Sequence, residues 1–560
     1  MIFARARPNV SILWFALTLT ADGWSLAPGD YINYYGQPSL TISARESEVL
    51  HPFWAQMVIG SDLIPEALDG WKDLAEVPIG VGDSSFHPEF FTGEYTSRAV
   101  KPFLEEETEA SSRIRAGGAH GTGTVNLING TAPIGVAVKA RIVALASTRR
   151  DQDLDAATKL FDRERPWLLN ISMTPITEHA ARYLEKLSER FIVITSAGNE
   201  YPERGLLEGK GKVIKVGSMA PMGLATLKSQ EGNLLWAPAD FWIKTKKGPA
   251  QFDLFSETSA AAALVTGALA NVLSILPGMD FEELKFILLG TVLKTANSLQ
   301  PLQVNGFGTL NALKLVEVAK RLRVRGWPDG RESLLQASDL FNFQREAGEE
   351  LSQAKDKMRF VGERQRSAFR QLRRSFLLDE TNDESRNLVI SIFSANGLHA
   401  DADFYRSLRA DGLKSLIQEK LASVRRSLGQ SHWSARAAAR TAGMMPKAES
   451  SVLLEQALKT GDPGVTAEAV LAAHSLGEQA VPLLKNAMEE KDDLVRAAVC
   501  RTTLKLYEEG NSLGEMGHDG IAYLDVNIRT AFGDYKEFGN AARMVSRLRQ
   551  GQYTREKYQE

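Results

Sequence analysis

Between about Val77 and Lys320 short apolar runs alternate with segments of helical spacing. The runs VPIGVGD, KARIVALAS, WLLNISM, RFIVITSAGN and KVIKVGSM have apolar centres of strand length, bounded by Gly, Asp, Asn or Ser. Such runs read as buried strands. The segments DAATKLFDRE and TEHAARYLEKLSERF between them have helical spacing. This alternation predicts an α/β domain, a mostly parallel sheet with helices on both faces. Ligands on such sheets bind beyond the carboxyl ends of the strands. Three of the runs end there in polar residues, at Asp83, at Asn170 to Ser172 and at Asn199, and these are expected to converge on one edge.

The character changes after residue 330. Residues 340–375 are rich in Glu, Lys, Arg and Gln at helical spacing, which reads as a solvated helical face, so 326–399 is expected to be a charged helical connector. Over 400–508 the helical segments SARAAARTAGMM, VTAEAVLAAHSLG and LVRAAVCRTTL begin at intervals of about thirty residues. That period predicts an all-α region of stacked helix pairs, an α-solenoid whose units resemble short HEAT-type repeats. An irregular helical bundle is the alternative. Residues 509–560 are expected to form a helical tail.

Composition narrows the function classes. At 560 residues the chain is too long for one hydrophobic core. Its 44% hydrophobic and 24% charged content are ordinary for a soluble globular protein. A net charge of −3 argues against a general nucleic-acid or anionic-membrane partner. The sole cysteine, Cys500, excludes an internal disulfide and a cysteine-built metal site, and within LVRAAVCRTTL it reads as a buried structural thiol. At the N-terminus, Arg5 and Arg7 precede the apolar run Val10 to Leu19, followed by Ser25-Leu26-Ala27. This is the pattern of a signal peptide over 1–27, and it predicts a secreted or periplasmic protein whose mature chain begins near Pro28. The run is shorter than the roughly 20 residues that span a bilayer, so no membrane span is expected.

Candidate chemistry lies in four places. SETSAAAALVTG opens a long apolar helix with hydroxyls, where Ser256 or Thr258 would serve as an N-cap and Ser259 falls in the first turn. GGAHGTGTVNLI starts a helix at His120, with glycines that permit close approach of a neighbouring chain. IGVGDSSFHPEF ends a strand at Asp83, and FIVITSAGNE places the Asn199 amide just after another. Singly, each has a bland reading as cap, structural histidine or turn residue.

Together, in the order Asp83, His120, Asn199, Ser259, they resemble the subtilisin-like serine proteases, or subtilases. GDSSFHPEF, HGTGTVNLI and ETSAAAALVTG match the three catalytic segments, and GVAVKARIVAL, LLNISMT, SAGNE, KVIKVGSM and NGFGTLNALKLVEVAK add five more in colinear order. The resemblance implies a peptidase domain over 77–325, with 28–76 as an N-terminal arm or a reduced prosegment. It implies that Ser259 attacks, that His120 takes and returns the proton, and that Asp83 orients His120. Asn199 would donate to the oxyanion. Ser172 and Thr174 would line the substrate-binding strand. The expected partner is a protein or peptide substrate, with the repeats recruiting a protein. No cofactor is required by this chemistry, although members of the resembled family often bind structural calcium through irregular loops. Three positions depart from the family pattern: Glu257 stands where Gly usually precedes the Thr-Ser pair, Ala263 where Pro usually follows, and Thr174 where a Gly commonly lines the cleft. Glu257 keeps a second reading alive, an inactive subtilase-shaped interaction scaffold. A lipid or ester hydrolase of the G-x-S-x-G kind is disfavoured, because the nucleophile segment lacks that elbow. The peptidase core is expected to close with NGFGTLNALKLVEVAK, so that a chain ending near Gly330 would fold alone.

Overall fold

The apolar runs of the first half are strands in the computed structural model. It describes residues 40–42, 48–50, 54–83, 86, 120–130, 135–146, 161–162, 164–172, 178–199, 201, 211–230, 232–239, 241–244, 252–255, 257–294, 306–358, 363–424 and 432–508. The expected signal peptide at 1–27, the tail at 509–560 and Thr174 lie outside the described residues. An antiparallel pair, β1 (Leu40–Ile42) and β2 (Glu48–Leu50), comes first, then two short helices, α1 (Trp54–Ile59) and α2 (Ile64–Ala67).

Six strands follow: β3 (Val77–Asp83), β4 (Ala140–Ala146), β5 (Leu168–Ile171), β6 (Ile192–Ser196), β7 (Val213–Met219) and β8 (Leu235–Pro238). They form one parallel sheet in the order β4-β3-β5-β6-β7-β8. The period of two along each strand sorts its side chains between two cores. Ile79, Val81, Leu168 and Ile194 join the larger core. Leu169, Ile171 and Val193 face the opposite way, onto Phe161, Leu184 and Leu187. Gly80 falls on that second face, where a Cβ would meet Leu169 Cδ2 at 2.5 Å and the Phe161 ring at 2.7 Å. Helix α3 (His120–Asn129) precedes β4, and α4 (Glu178–Ser188) precedes β6. A second antiparallel pair, β9 (Phe241–Lys244) and β10 (Phe252–Phe255), leads into helix α5 (Glu257–Ile275). Helix α5 crosses β5 to β8 and packs beside α3, and every residue from Thr258 to Ile275 is buried. It is long and apolar enough to cross a membrane, but here it is the covered core helix of the domain. Helices α6 (Phe281–Thr291) and α7 (Ala312–Val324) complete its cover.

All later described elements are helical: α8 (Arg331–Leu335), α9 (Gln344–Met358), α10 (Glu363–Leu378), α11 (Asp383–Ala395), α12 (His399–Ser407), α13 (Ala410–Ser423), α14 (Trp433–Ala442), α15 (Lys447–Leu458), α16 (Pro463–Ala472), α17 (Val481–Met488) and α18 (Asp493–Glu508), with a short 3-10 stretch at Ala473–Ala480. The helices α14, α16 and α18, which hold the three similar segments, stack directly on one another, with α15 and α17 between them in the chain. Thr502 Oγ1 donates to the Val470 carbonyl at 3.0 Å, and Arg436 pairs with Glu468 at 2.8 Å, so each layer is tied to the next by a polar bond. Burial raises the Glu468 carboxyl above its usual range, against the pull of the Arg436 guanidinium.

One expectation about this half needs correction. The segment 326–399 is not a solvated connector. In α9 the residues Ala347, Leu351, Ala354 and Met358 make one buried stripe, and in α10 Phe369, Leu372 and Phe376 make another. The charge-rich composition averaged over both faces and hid these stripes. The apolar core also continues past residue 330 into the later helices. Asp62, beside α2, accepts both terminal nitrogens of Arg373 at 2.6 and 2.8 Å, with both side chains buried. Asn311 Nδ2 donates to the Leu377 carbonyl at 2.7 Å. One continuous apolar cluster runs from Trp54 to Leu506 and takes in both halves.

Removing one member of a buried pair strands the other charge, which typically costs about 3–5 kcal/mol. Asp62→Ala is therefore expected to lower stability by about that amount in a denaturant titration of the full chain. A loss below about 1 kcal/mol, the range of an exposed pair, would show that the pair is effectively solvated. Cys500 has 0% exposure, and burial pushes its thiol up to about 12. It is expected to resist iodoacetamide in the folded protein and to react once the chain is unfolded; native alkylation would contradict the burial.

Candidate active site

The sheet order reverses beside β3, whose neighbours are β4 on one side and β5 on the other. A reversal of this kind opens a crevice at the carboxyl ends of the strands. Asp83 is the last residue of β3, and the pairing of Gly82 with Ile171 makes Asp83 and Ser172 the next residues out on adjoining strands.

Asp83 has 0% exposure, so its carboxylate needs partners for both oxygens. Helix α3 supplies them from one face. His120 Nδ1 lies 2.6 Å from Asp83 Oδ1, and Thr124 Oγ1 donates to Asp83 Oδ2 at 2.9 Å. His120 and Thr124 are one helical turn apart, which puts both side chains on the same side of α3. A ring nitrogen against a carboxylate oxygen carries the proton, so Nε2 is left as the basic nitrogen of a neutral imidazole. The His120 side chain is 37% exposed, and its ring meets Phe255 edge-on at 5.1 Å between centroids. Phe255 ends β10, just before α5, and so brings the start of α5 toward the histidine.

Ser259 stands in the first turn of α5 with 6% exposure. Its Oγ donates to the Ser172 carbonyl at 2.9 Å, while Ser172 Oγ lies in donor range of the Ser259 carbonyl (3.2 Å) and of Asn170 Oδ1 (2.8 Å). Asn170 Nδ2 in turn donates to Thr266 Oγ1 at 2.8 Å, two turns along α5. The end of β5 and the head of α5 are thus sewn together. Asn199 is joined to the same helix by Thr258, whose Oγ1 donates to Asn199 Oδ1 at 2.8 Å, with the Thr258 N–H at 3.4 Å from the same oxygen. Because an N–H only donates, Oδ1 is the amide atom that faces Thr258, and Nδ2 is turned away from it. The Thr258 hydroxyl therefore holds the Asn199 amide in addition to its place in the first turn.

Glu257 takes a left-handed conformation, φ 70°, which favours glycine at this point of the chain. Its carboxylate pairs with Lys228 at 3.0 Å, so the acidic group beside Ser259 has a cationic partner. Of the residues expected from sequence, Asp83 and His120 are in direct contact, as are Ser172 and Ser259, and Asn199 reaches Ser259 through its neighbour Thr258. Thr174 is outside the described residues. Sequence reasoning passed over Thr124 and Phe255; the four-residue step from His120 to Thr124 was the available signal for the first. Among the described residues no group of three or more His, Cys, Asp or Glu is placed to hold a metal ion.

Residues 75–309 match the model of the subtilase family, Peptidase_S8. Among solved structures the chain is similar to MycP1 from Mycobacterium smegmatis, at 16% identity over 47% of this chain and 84% of that one with a TM-score of 0.35. It is similar to the A-subunit of the AB5 toxin from E. coli, at 19% identity over 48% of this chain and 99% of that one with a TM-score of 0.37. The epidermin leader peptide processing serine protease from Staphylococcus aureus gives 16% identity over 45% and 78%, with a TM-score of 0.34. No curated protein matches. The family match coincides with the sheet, with α3 and with α5, and the chain carries over residues 75–309 a subtilase-family serine protease domain.

Proposed function

We propose that the protein is an exported serine endopeptidase that cuts peptide bonds with Ser259 as nucleophile, His120 as general base and acid, and Asp83 as the group that orients His120. The observation that carries this reading is the 2.6 Å contact of His120 with a fully buried Asp83, at the same strand edge that receives Ser259. In the resting arrangement the Ser259 hydroxyl donates to the Ser172 carbonyl. Attack requires that bond to be exchanged for one to His120 Nε2, a change of serine rotamer that substrate binding would drive by taking up the edge of the strand ending at Ser172. The proton then moves from Oγ to Nε2 as Oγ bonds to the scissile carbonyl carbon. The imidazolium so formed is stabilised by Asp83 and returns the proton to the leaving amine. Water repeats the sequence on the acyl-enzyme. The oxyanion takes a hydrogen bond from Asn199 Nδ2 and from backbone N–H groups at the head of α5, whose dipole also favours negative charge there.

Ser172 acts as a main-chain partner of the substrate, and Thr174 would extend that edge. The proposed chemistry uses no cofactor. Export follows from the Arg5, Arg7 and Val10 to Leu19 pattern. The helical repeats are read as the surface that recruits a protein.

A fluorophosphonate probe should label Ser259 in the full chain, and Ser259→Ala should abolish both labelling and peptide hydrolysis. Asn199→Ala should keep labelling but lower kcat by about 10²- to 10³-fold. A folded protein that takes no label would support the inactive scaffold instead. Thr124→Val removes the partner of Asp83 Oδ2; a hydrogen bond to a charged group is worth about 1.5–3 kcal/mol, so kcat should fall by about tenfold or more with KM little changed. Unchanged turnover would mean that the Thr124 bond does not hold Asp83.

A further inference from the structure

Asn199 lies just after β6, and residues 225–230, which touch the helical half, pair with the backbone on either side of it. The Gln230 N–H donates to the Gly198 carbonyl at 2.9 Å, and the Tyr201 N–H donates to the Lys228 carbonyl at 3.1 Å. Asn199 is thus bracketed by two backbone ties to one segment. That segment is itself gripped by α14: Arg440 donates to the Ser229 carbonyl at 3.1 Å, and the Ala225 N–H donates to Thr441 Oγ1 at 3.0 Å.

Tyr201 makes the direct connection. It is buried, although it follows a polar active-site loop. Its hydroxyl donates to the Leu471 carbonyl at 3.0 Å and lies 3.2 Å from His474 Nδ1. Leu471 is in the last turn of α16, and its carbonyl also lies 2.8 Å from His474 Nδ1, so the phenol joins a bond network at the end of that helix. Arg440 lies over the Tyr201 ring, and Lys505 of α18 stands 5.7 Å from its centroid. Three successive stacked helices therefore converge on one side chain two residues from Asn199. Contact with apolar helices would be served equally by Phe; the hydroxyl adds a directional bond that sets where the loop stops.

We infer that Tyr201 is a positioning residue for the Asn199 amide, through which the helical repeats hold the oxyanion side of the active site. The inference rests on the proteolytic reading and gives the repeats a part in turnover besides recruitment. An oxyanion donor must sit within a narrow range of positions, and a shift of about 1 Å in an active-site group can cost about 10²-fold in rate. Thr258 holds the Asn199 amide from one side, and the bonds around Tyr201 hold the backbone that carries it from the other.

The test uses the full chain and the kinetics of Ser259 phosphonylation by a fluorophosphonate, which develops negative charge on an oxygen beside Ser259. Tyr201→Phe keeps the ring among the cations and removes the bond to Leu471. The maximal inactivation rate is expected to fall by about 3- to 10-fold, with the probe's half-saturation unchanged within about twofold. On an Asn199→Ala background the same substitution should change the rate by less than about twofold, because the group it positions is gone. Thr441→Val, which releases Ala225 from the helical side, should behave in the same way if Tyr201→Phe proves insoluble. An unchanged rate in the variant that folds, an equal fall on both backgrounds, or a change in half-saturation alone would overturn the inference and leave Tyr201 as an anchor for the repeats. A wild-type chain that takes no label at Ser259 would instead remove the functional reading, and the inference with it.

Discussion

Helix Glu257–Ile275 has no solvent face beyond its first residue, and that constraint organises the molecule. A helix apolar all round must be covered on every side. The sheet from β5 to β8 covers one side, α3 another and α7 a third. Small side chains such as the Ala260 to Ala263 run would let such a helix slide along its axis, and buried polar pins oppose this. Asn271 accepts from the Val138 N–H at 2.8 Å and donates to the Val136 carbonyl at 2.7 Å, while Asn170 reaches Thr266 at 2.8 Å. Each pin would leave an unsatisfied buried group if the helix shifted. Ser259 in the first turn inherits its position from these bonds.

The same reasoning explains the other half of the site. A carboxylate at the end of a central strand, removed from water, is tolerated only when its lone pairs are taken up. Helix α3 answers with a histidine and a threonine one turn apart, so the burial of Asp83 and the tautomer of His120 are a single arrangement. The strand order places that arrangement at the edge where β5 presents Ser172 to Ser259. Folding energy and chemical geometry are therefore set by the same contacts.

Much of this was legible in the sequence because it is local. Asp83 closes an apolar run, His120 and Ser259 open helices, and each motif carries its own punctuation of Gly, Ser or Thr. Even Thr124 was within reach, since it needs only the helical period. What could not be read was long-range or averaged. The charge content of residues 340–375 concealed the buried stripes of α9 and α10, and Arg373 looked like one more surface cation until Asp62, far away in the chain, was brought to it. Glu257 in a left-handed conformation, and its pairing with Lys228, likewise depend on where residues 225–230 are held.

Besides the shared apolar cluster, the helical half is bound to the peptidase domain by two different kinds of polar contact. At Asp62 and Arg373 the bond is a buried charge pair on the side of α1 and α2; its loss strands a charge and falls on stability. At Tyr201, Ser229 and Ala225 the bonds are single hydrogen bonds to loop backbone or a loop side chain beside Asn199. A single hydrogen bond contributes little net stability because water competes for its partners. Its directional content is large, however, since it fixes an atom to within a few tenths of an ångström. The first contact secures the helices to the domain, and that attachment allows the weaker second set to define the shape of the loop. The charge pair and the shared apolar cluster fix the frame of the helices, and the directional bonds at Tyr201, Ser229 and Ala225 then set where the loop beside Asn199 lies.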